Sequence, residues 1–172
     1  MRAERKAMGR QKSPVDRPDR SRVRAVLAEG QHAACVDDWL KRSGKGQSPE
    51  VLLRLFEAAF SALWARTETT LGVVTLTAIA ERVLYNASEK LPFISCVKVE
   101  PTGGIECREL RERIGSVNAS ELITGIRCVL LEFLTVLGNL TAEILTPELH
   151  SELSNVFLPK AVRVDKRARA TQ

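Results

Sequence analysis

The segment from Asn118 to Leu145 carries the clearest periodicity in the chain. Leu122, Ile126, Val129, Phe133, Leu137, Leu140 and Ile144 recur every three or four residues, and Ile123, Leu130, Leu134 and Leu145 widen the apolar stripe past half the circumference. That spacing predicts a helix. Asn118, with Glu121 three residues on, suits a capping box, and Val117 with Leu122 suits a hydrophobic staple. One narrow polar line is left for water: Glu121, Thr124, Cys128, Glu132, Thr135, Asn139 and Glu143. A helix this apolar needs cover on several sides, from its own chain or from a second copy.

Upstream, Ser48-Pro49-Glu50 is a helix start, with a capping serine, proline in the first turn and an acid at the positive helix end. Val51, Leu52, Leu55, Phe56, Ala59, Phe60, Leu63 and Trp64 continue that helix. Leu71 to Lys90 is the next helical stretch, with Val74, Ala78, Ile79, Val83, Leu84 and Ala87 on one side and a ragged start around Gly72; Leu91-Pro92 ends it. Further upstream, Val23, Leu27, Ala34 and Leu40 trace a thin face from about Arg22 to Arg42, with Trp39 near its end and Gly30 as a point of division. Ser43 to Gln47 reads as a linker by composition.

Between Phe93 and Leu110 the period changes from helical to alternating. Val97 and Val99 alternate with Cys96, Lys98 and Glu100; beyond Pro101-Thr102-Gly103, Ile105 and Cys107 alternate with Glu106 and Arg108. A three-residue loop with Gly103 left-handed pairs Val99 with Ile105, Val97 with Cys107 and Lys98 with Glu106. A slip of one residue would set Val97 against Arg108, so the alternation selects the register. Arg108 to Arg113 reads as the strand end or one helical turn. Thr146-Pro147-Glu148 repeats the start seen at Ser48, for a short helix to about Val156 with Leu149, Leu153 and Val156 inward.

Charge is unevenly spread. The net charge is +5 over the chain, yet residues 1–24 hold nine Lys or Arg against three acids and residues 160–172 five against one, which leaves an acidic body between two basic ends. Residues 1–20 have too little apolar surface to fold and are expected to be a disordered basic arm. The first dozen residues lack the apolar core of a secretory signal. Arg127, Glu132 and Glu143 argue against a membrane span over Leu122–Leu145. Cys35, Cys96, Cys107 and Cys128 show no paired spacing, as befits reduced thiols in a cytoplasmic protein. The glycosylation-type triplets at Asn86, Asn118 and Asn139 then count as chance matches.

No constellation of catalytic residues stands out. Gly44-Lys45-Gly46 lacks the upstream glycine, the Ser/Thr after the lysine and the preceding strand that a phosphate loop needs. His32 and Cys35 share a helix face, but a closed zinc site needs four ligands. Cys96 and Cys107 point to opposite faces of the hairpin in the preferred register. His150 on a short helix resembles a phosphorelay position in placement alone, with serine after it and no acid beside it; an exposed structural histidine is the simpler reading. No serine elbow or Cys–His pairing is apparent. Glu132 and Glu143 read as a solvated edge.

These patterns predict an α+β, mostly helical fold: helix, helix, hairpin, long helix, short helix, with disordered basic termini. Residues 1–47 are expected to be an N-terminal arm with a candidate helix over 22–42 and a linker, 48–158 the folded domain, and 159–172 a basic tail. The expected function is a non-enzymatic cytoplasmic regulatory or scaffolding module in signalling, acting through protein–protein contacts without cofactor or metal. It is expected to be a homodimer, with Ile126, Leu130, Leu134 and Leu137 at the seam. One alternative is a nucleic-acid-associated protein that grips phosphates through Arg2, Arg5, Lys6, Arg10, Lys12, Arg17, Arg20, Arg22 and Arg24. The other is a small-ligand sensor with a pocket between hairpin and helices.

Overall fold

The computed structural model describes residues 20–100 and 103–157. Within them the chain is mostly helical, with one two-stranded hairpin: α1 (Arg20–Ser43), α2 (Pro49–Leu71), α3 (Val73–Lys90), β1 (Lys98–Glu100), β2 (Gly104–Glu106), α4 (Arg108–Glu112), α5 (Ala119–Leu140) and α6 (Thr146–Asn155). Helix α5 is the central element. It packs on α1, α3, α2 and α6.

Asn118 caps α5 by accepting a hydrogen bond from the Ser120 amide at 2.9 Å. Leu122, Ile126, Val129, Leu130, Phe133, Leu134 and Leu137 are all buried, and Phe133 stacks on Phe60 of α2 with ring centroids 4.5 Å apart. This corrects the expected dimer seam. Ile126, Leu130, Leu134 and Leu137 are covered inside one chain and offer nothing to a second copy. The cover comes mainly from α1, which the sequence reading had assigned to the arm. Helix α5 also stops at Leu140, short of the expected Leu145, in a turn where Ala142 (φ 50°) and Glu143 (φ 64°) are left-handed. The Glu143 amide donates to Gly138 O at 2.8 Å there.

Helix α1 is uninterrupted at Gly30, and its second half belongs to the core. His32, Val36, Trp39 and Leu40 are buried, spaced four, three and one apart, along a helical stripe. The expected boundary at residue 48 therefore cuts through packed structure. The expected face lay on a different arc: of Val23, Leu27, Ala34 and Leu40 only Leu40 is buried, and the observed stripe passes through a histidine, a residue counted as polar. Val23, Val26 and Leu27, in the first half, are exposed. The expected linker is a tight corner: the Gly44 amide bonds Leu40 O at 2.8 Å, and a Cβ on Gly44 would lie 2.9 Å from that same oxygen.

Helix α2 runs about two turns past Trp64, to Leu71, and buried Thr67 satisfies its hydroxyl within the helix by donating to Leu63 O and Trp64 O at 2.9 and 3.1 Å. Gly72, at φ 76°, turns the chain into α3. The buried face of α3 is Leu76, Ala80, Val83, Leu84 and Ala87. The expected face overlaps it only in part: Val74 is 85% exposed, and Ala78 is exposed as well. Helix α3 has apolar residues on two arcs, and packing on α5 selects the arc containing Leu76 and Ala80.

The hairpin has the expected register, Lys98 opposite Glu106 and Val99 opposite Ile105. Val97 and Cys107 are buried, and Gly103 is left-handed at φ 104°. A Cβ on Gly103 would stand 2.8 Å from Trp64 Nε1, so close approach to α2 requires glycine as much as the turn does. Lys98 pairs with Glu109 of α4, while Glu106 pairs with Arg108. Among the described residues no helix is long and apolar enough to cross a membrane.

Candidate functional site

The chain has two histidines, and the fold sets them against each other. His32 lies on the inner face of α1 and His150 on α6, with His32 Nδ1 and His150 Nε2 2.8 Å apart. The rings meet edge to face, at 90° with centroids 5.0 Å apart. Leu149 and Leu153 anchor α6 beneath the pair. The His32 side chain is 1% exposed, and its other ring nitrogen, Nε2, has only the Glu143 carboxylate before it, Oε2 at 3.5 Å.

Glu143 reaches that position because the chain reverses through the left-handed turn after α5. Gly138 leaves the space. A Cβ there would stand 2.7 and 2.8 Å from the two Glu143 oxygens and 2.9 Å from His32 Nε2. The Thr146 hydroxyl donates to Glu143 Oε2 at 2.5 Å and holds the carboxylate from the far side. A carboxylate facing Nε2 favours the proton on that nitrogen. His32 Nδ1 is then the acceptor and His150 Nε2 the donor, while His32 Nε2 faces Glu143 at 3.5 Å without a formed hydrogen bond.

Electrostatics keeps both rings neutral. Burial holds the His32 imidazole below the usual histidine range, with Glu143 opposing it. Burial likewise lowers His150, His32 lowers it further, and Glu143 opposes. The Cys35 thiol points at the His150 carbonyl oxygen, 3.8 Å away. Burial pushes that thiol up, which makes it a poor nucleophile. His150 and Glu143 face opposite nitrogens of His32, so the three do not converge on one point. Among the described residues no group of three His, Cys, Asp or Glu side chains suits a metal.

In the sequence these residues stand apart: His32 gives a weak metal hint, His150 a phosphorelay-like placement and Glu143 part of a solvated edge. A separation of 118 residues hides the pairing. The available signal was the count, since two histidines both flanked by apolar helix positions invite the question of whether they meet.

Two clefts lie elsewhere on the fold, away from the histidine pair. One, of about 500 Å³, lies between α3 and α5, with Val74, Ala78, Ile79 and Val136 in its apolar lining and Arg82, Asn86 and Glu132 also around it. Asn86 Nδ2 donates to Glu132 Oε1 at 2.5 Å, so Glu132 is a structured part of this cleft. The other, about 390 Å³, lies between α3 and the hairpin, beside Tyr85 and Lys98. Of the basic residues expected to contact polyanions, Arg2, Arg5, Lys6, Arg10, Lys12 and Arg17 lie outside the described residues. Arg20, Arg22 and Arg24 fall in the first turns of α1, with their side chains outside the described set. Comparison with protein-family models, with curated proteins and with solved structures finds no match.

Proposed function

We propose that this protein is a non-enzymatic regulatory or scaffolding module of the cytoplasm that acts through protein–protein contacts as a homodimer. The pairing surface in this reading is the cleft between α3 and α5, in place of the buried seam first expected. One observation carries it: Val74 projects, 85% exposed, beside a hollow lined by Ala78, Ile79 and Val136. A knob next to a hole is self-complementary under two-fold symmetry, the commonest closed arrangement. The charges fit the same geometry. Arg82 and Glu132 both border the cleft, so an antiparallel pair sets the cation of each copy near the carboxylate of the other. Sedimentation at micromolar concentration tests this. The wild type is expected to be a dimer and Val74→Asp a folded monomer; a wild-type monomer removes the reading.

A second reading rests on the excess of nine basic over three acidic residues in 1–24. Such a segment suits a phosphate backbone, and it is compatible with a dimeric body.

A further inference from the structure

We propose that His32 and His150 form a proton-operated latch, which holds α6 on the body at neutral pH and releases it on acidification.

The latch stands at the meeting of three pieces of chain. Helix α6 has ten residues, and only Thr146, Leu149 and Leu153 of it are buried. Its polar attachments are few. Among the described residues they include the His32–His150 bond, the Cys35 thiol on the His150 carbonyl and beside the Ser154 hydroxyl, the Trp39 Nε1 bond to Val156 O at 3.0 Å, the Thr146–Glu143 bond, and an ion pair of Glu148 with Arg66 of α2 at 3.6 Å. The histidine bond is the one among them that changes chemistry in the range where histidine titrates. A helix so short does not hold itself folded in water, so its order depends on docking.

Proton counting gives the device its direction. In the neutral state His150 Nε2–H donates to His32 Nδ1, and His32 Nε2–H faces Glu143. A first added proton goes to His150 Nδ1. The bond survives, because His150 still donates and His32 still accepts. A second proton has only His32 Nδ1 to occupy. It converts the acceptor into a donor facing a donor and places two cations in contact. One carboxylate, Glu143, remains to offset them.

The other charged groups nearby do not relieve this. On α1, Asp38 and Arg42 flank Cys35, which itself stays protonated. Asp37 is engaged by Arg127 of α5. On α6, Glu148 is engaged by Arg66 of α2. Helix α5 presents Gly138 to the pair. The second protonation thus drives His150 away from a nearly solvent-free partner, and α6 leaves with it. Its departure uncovers the apolar surface of α1, α2 and α5 on which Leu149 and Leu153 rest.

The test uses the full chain. With two histidines, the Cε1–H signals of both are followed directly by NMR from about pH 7.5 to about pH 5.5, across the histidine range. Over the same span, amide exchange is compared between α6 and α5 after correction for intrinsic rates. Acidification is expected to raise α6 exchange at least about tenfold relative to α5, with both imidazoles titrating below the usual range, His150 first, and the rise in α6 exchange following His32. His150→Gln offers His32 an N–H donor, cannot take a proton, and can turn its amide oxygen toward a protonated His32 Nδ1. In it the acid response of α6 should disappear while the fold at neutral pH is retained. His32→Asn is the companion variant should His150→Gln fail to fold, with the same expectation. An unchanged acid response in the folded variant overturns the latch, as does a wild type whose helices all lose protection together. Micromolar Zn²⁺ shifting both imidazole signals at neutral pH would also overturn it, since the pair would then be a metal clip.

Discussion

Arg127 of α5 clasps Asp37 of α1 with two nitrogens, Nε to Oδ1 at 2.6 Å and a terminal nitrogen to Oδ2 at 3.1 Å. The residues are 90 apart in sequence. The hydrogen bonds from Arg127 hold the Asp37 carboxyl below the usual carboxylate range. Both side chains are more than a third exposed. The pair ties α1 to α5 at their solvent edge, while the apolar faces of the two helices supply most of the adhesion.

Truncation should show how far α1 belongs to the fold. A fragment lacking residues 1–47 loses Val36, Trp39 and Leu40 and uncovers the face of α5 on which α1 packs. It is expected to be insoluble or to show no cooperative melt. A chain starting at residue 20 should melt like the whole protein by circular dichroism.

Substitutions on α5 distinguish a core from a dimer seam. Leu130 and Leu134 are fully buried, so Leu130→Glu is expected to abolish folding, because it places an unpaired charge in the core. Leu130→Ala should cost about 2–5 kcal/mol in chemical denaturation. A folded, monomeric Leu130→Glu protein would contradict the packing described for α5.

Gly138→Ala probes the space around the histidine pair. The added methyl meets both Glu143 oxygens and His32 Nε2 at under 3 Å. Glu143 must swing out, or the left-handed turn must open. Overpacking of this kind typically costs about 1–3 kcal/mol. Loss of the carboxylate from His32 should also lower the His32 titration midpoint further, which NMR reads directly.

Stability should fall in two acid windows. Both imidazoles are lowered from the ordinary value of 6.5, so below that pH the unfolded chain binds more protons than the folded one. Stability is then full above the ordinary value and is lost as pH falls toward the folded midpoints. Asp37 is lowered from 3.8 by its bonds to Arg127. Its share is present above that value and disappears as pH falls through its depressed midpoint. Denaturant midpoints measured against pH should show the histidine step first, and His150→Gln should shrink only that one.

Binding to polyanions, if carried by the basic N-terminal residues, should weaken steeply with salt as condensed counterions are released. Deleting residues 1–19 should remove most of the affinity for a duplex DNA probe and leave the melt unchanged. Affinity indifferent to both salt and deletion would dismiss that role.

Local rules were enough for much of this chain. The alternation of Val97, Val99, Ile105 and Cys107 determined the hairpin register, because a strand's side chains switch faces at every residue and one slip would bury charge. Ser48-Pro49, Asn118 and Thr146-Pro147 marked helix starts to within a residue, because proline in the first turn and a capping side chain act locally. Only Asn118 caps with its side chain, while Thr146 sits inside α6 with Leu145 before it. Which surfaces were inside was decided by tertiary packing. Helix α3 has two apolar arcs and α5 is apolar nearly all round, so periodicity alone could not say that Val74 stays out or that α1 supplies the cover that a second copy was expected to bring. His32 hid that cover by interrupting the apolar stripe of α1 with a titratable ring. It is admissible there because His150 and Glu143 arrive from more than a hundred residues away, and a hydrogen bond across that distance leaves no periodic trace in the sequence.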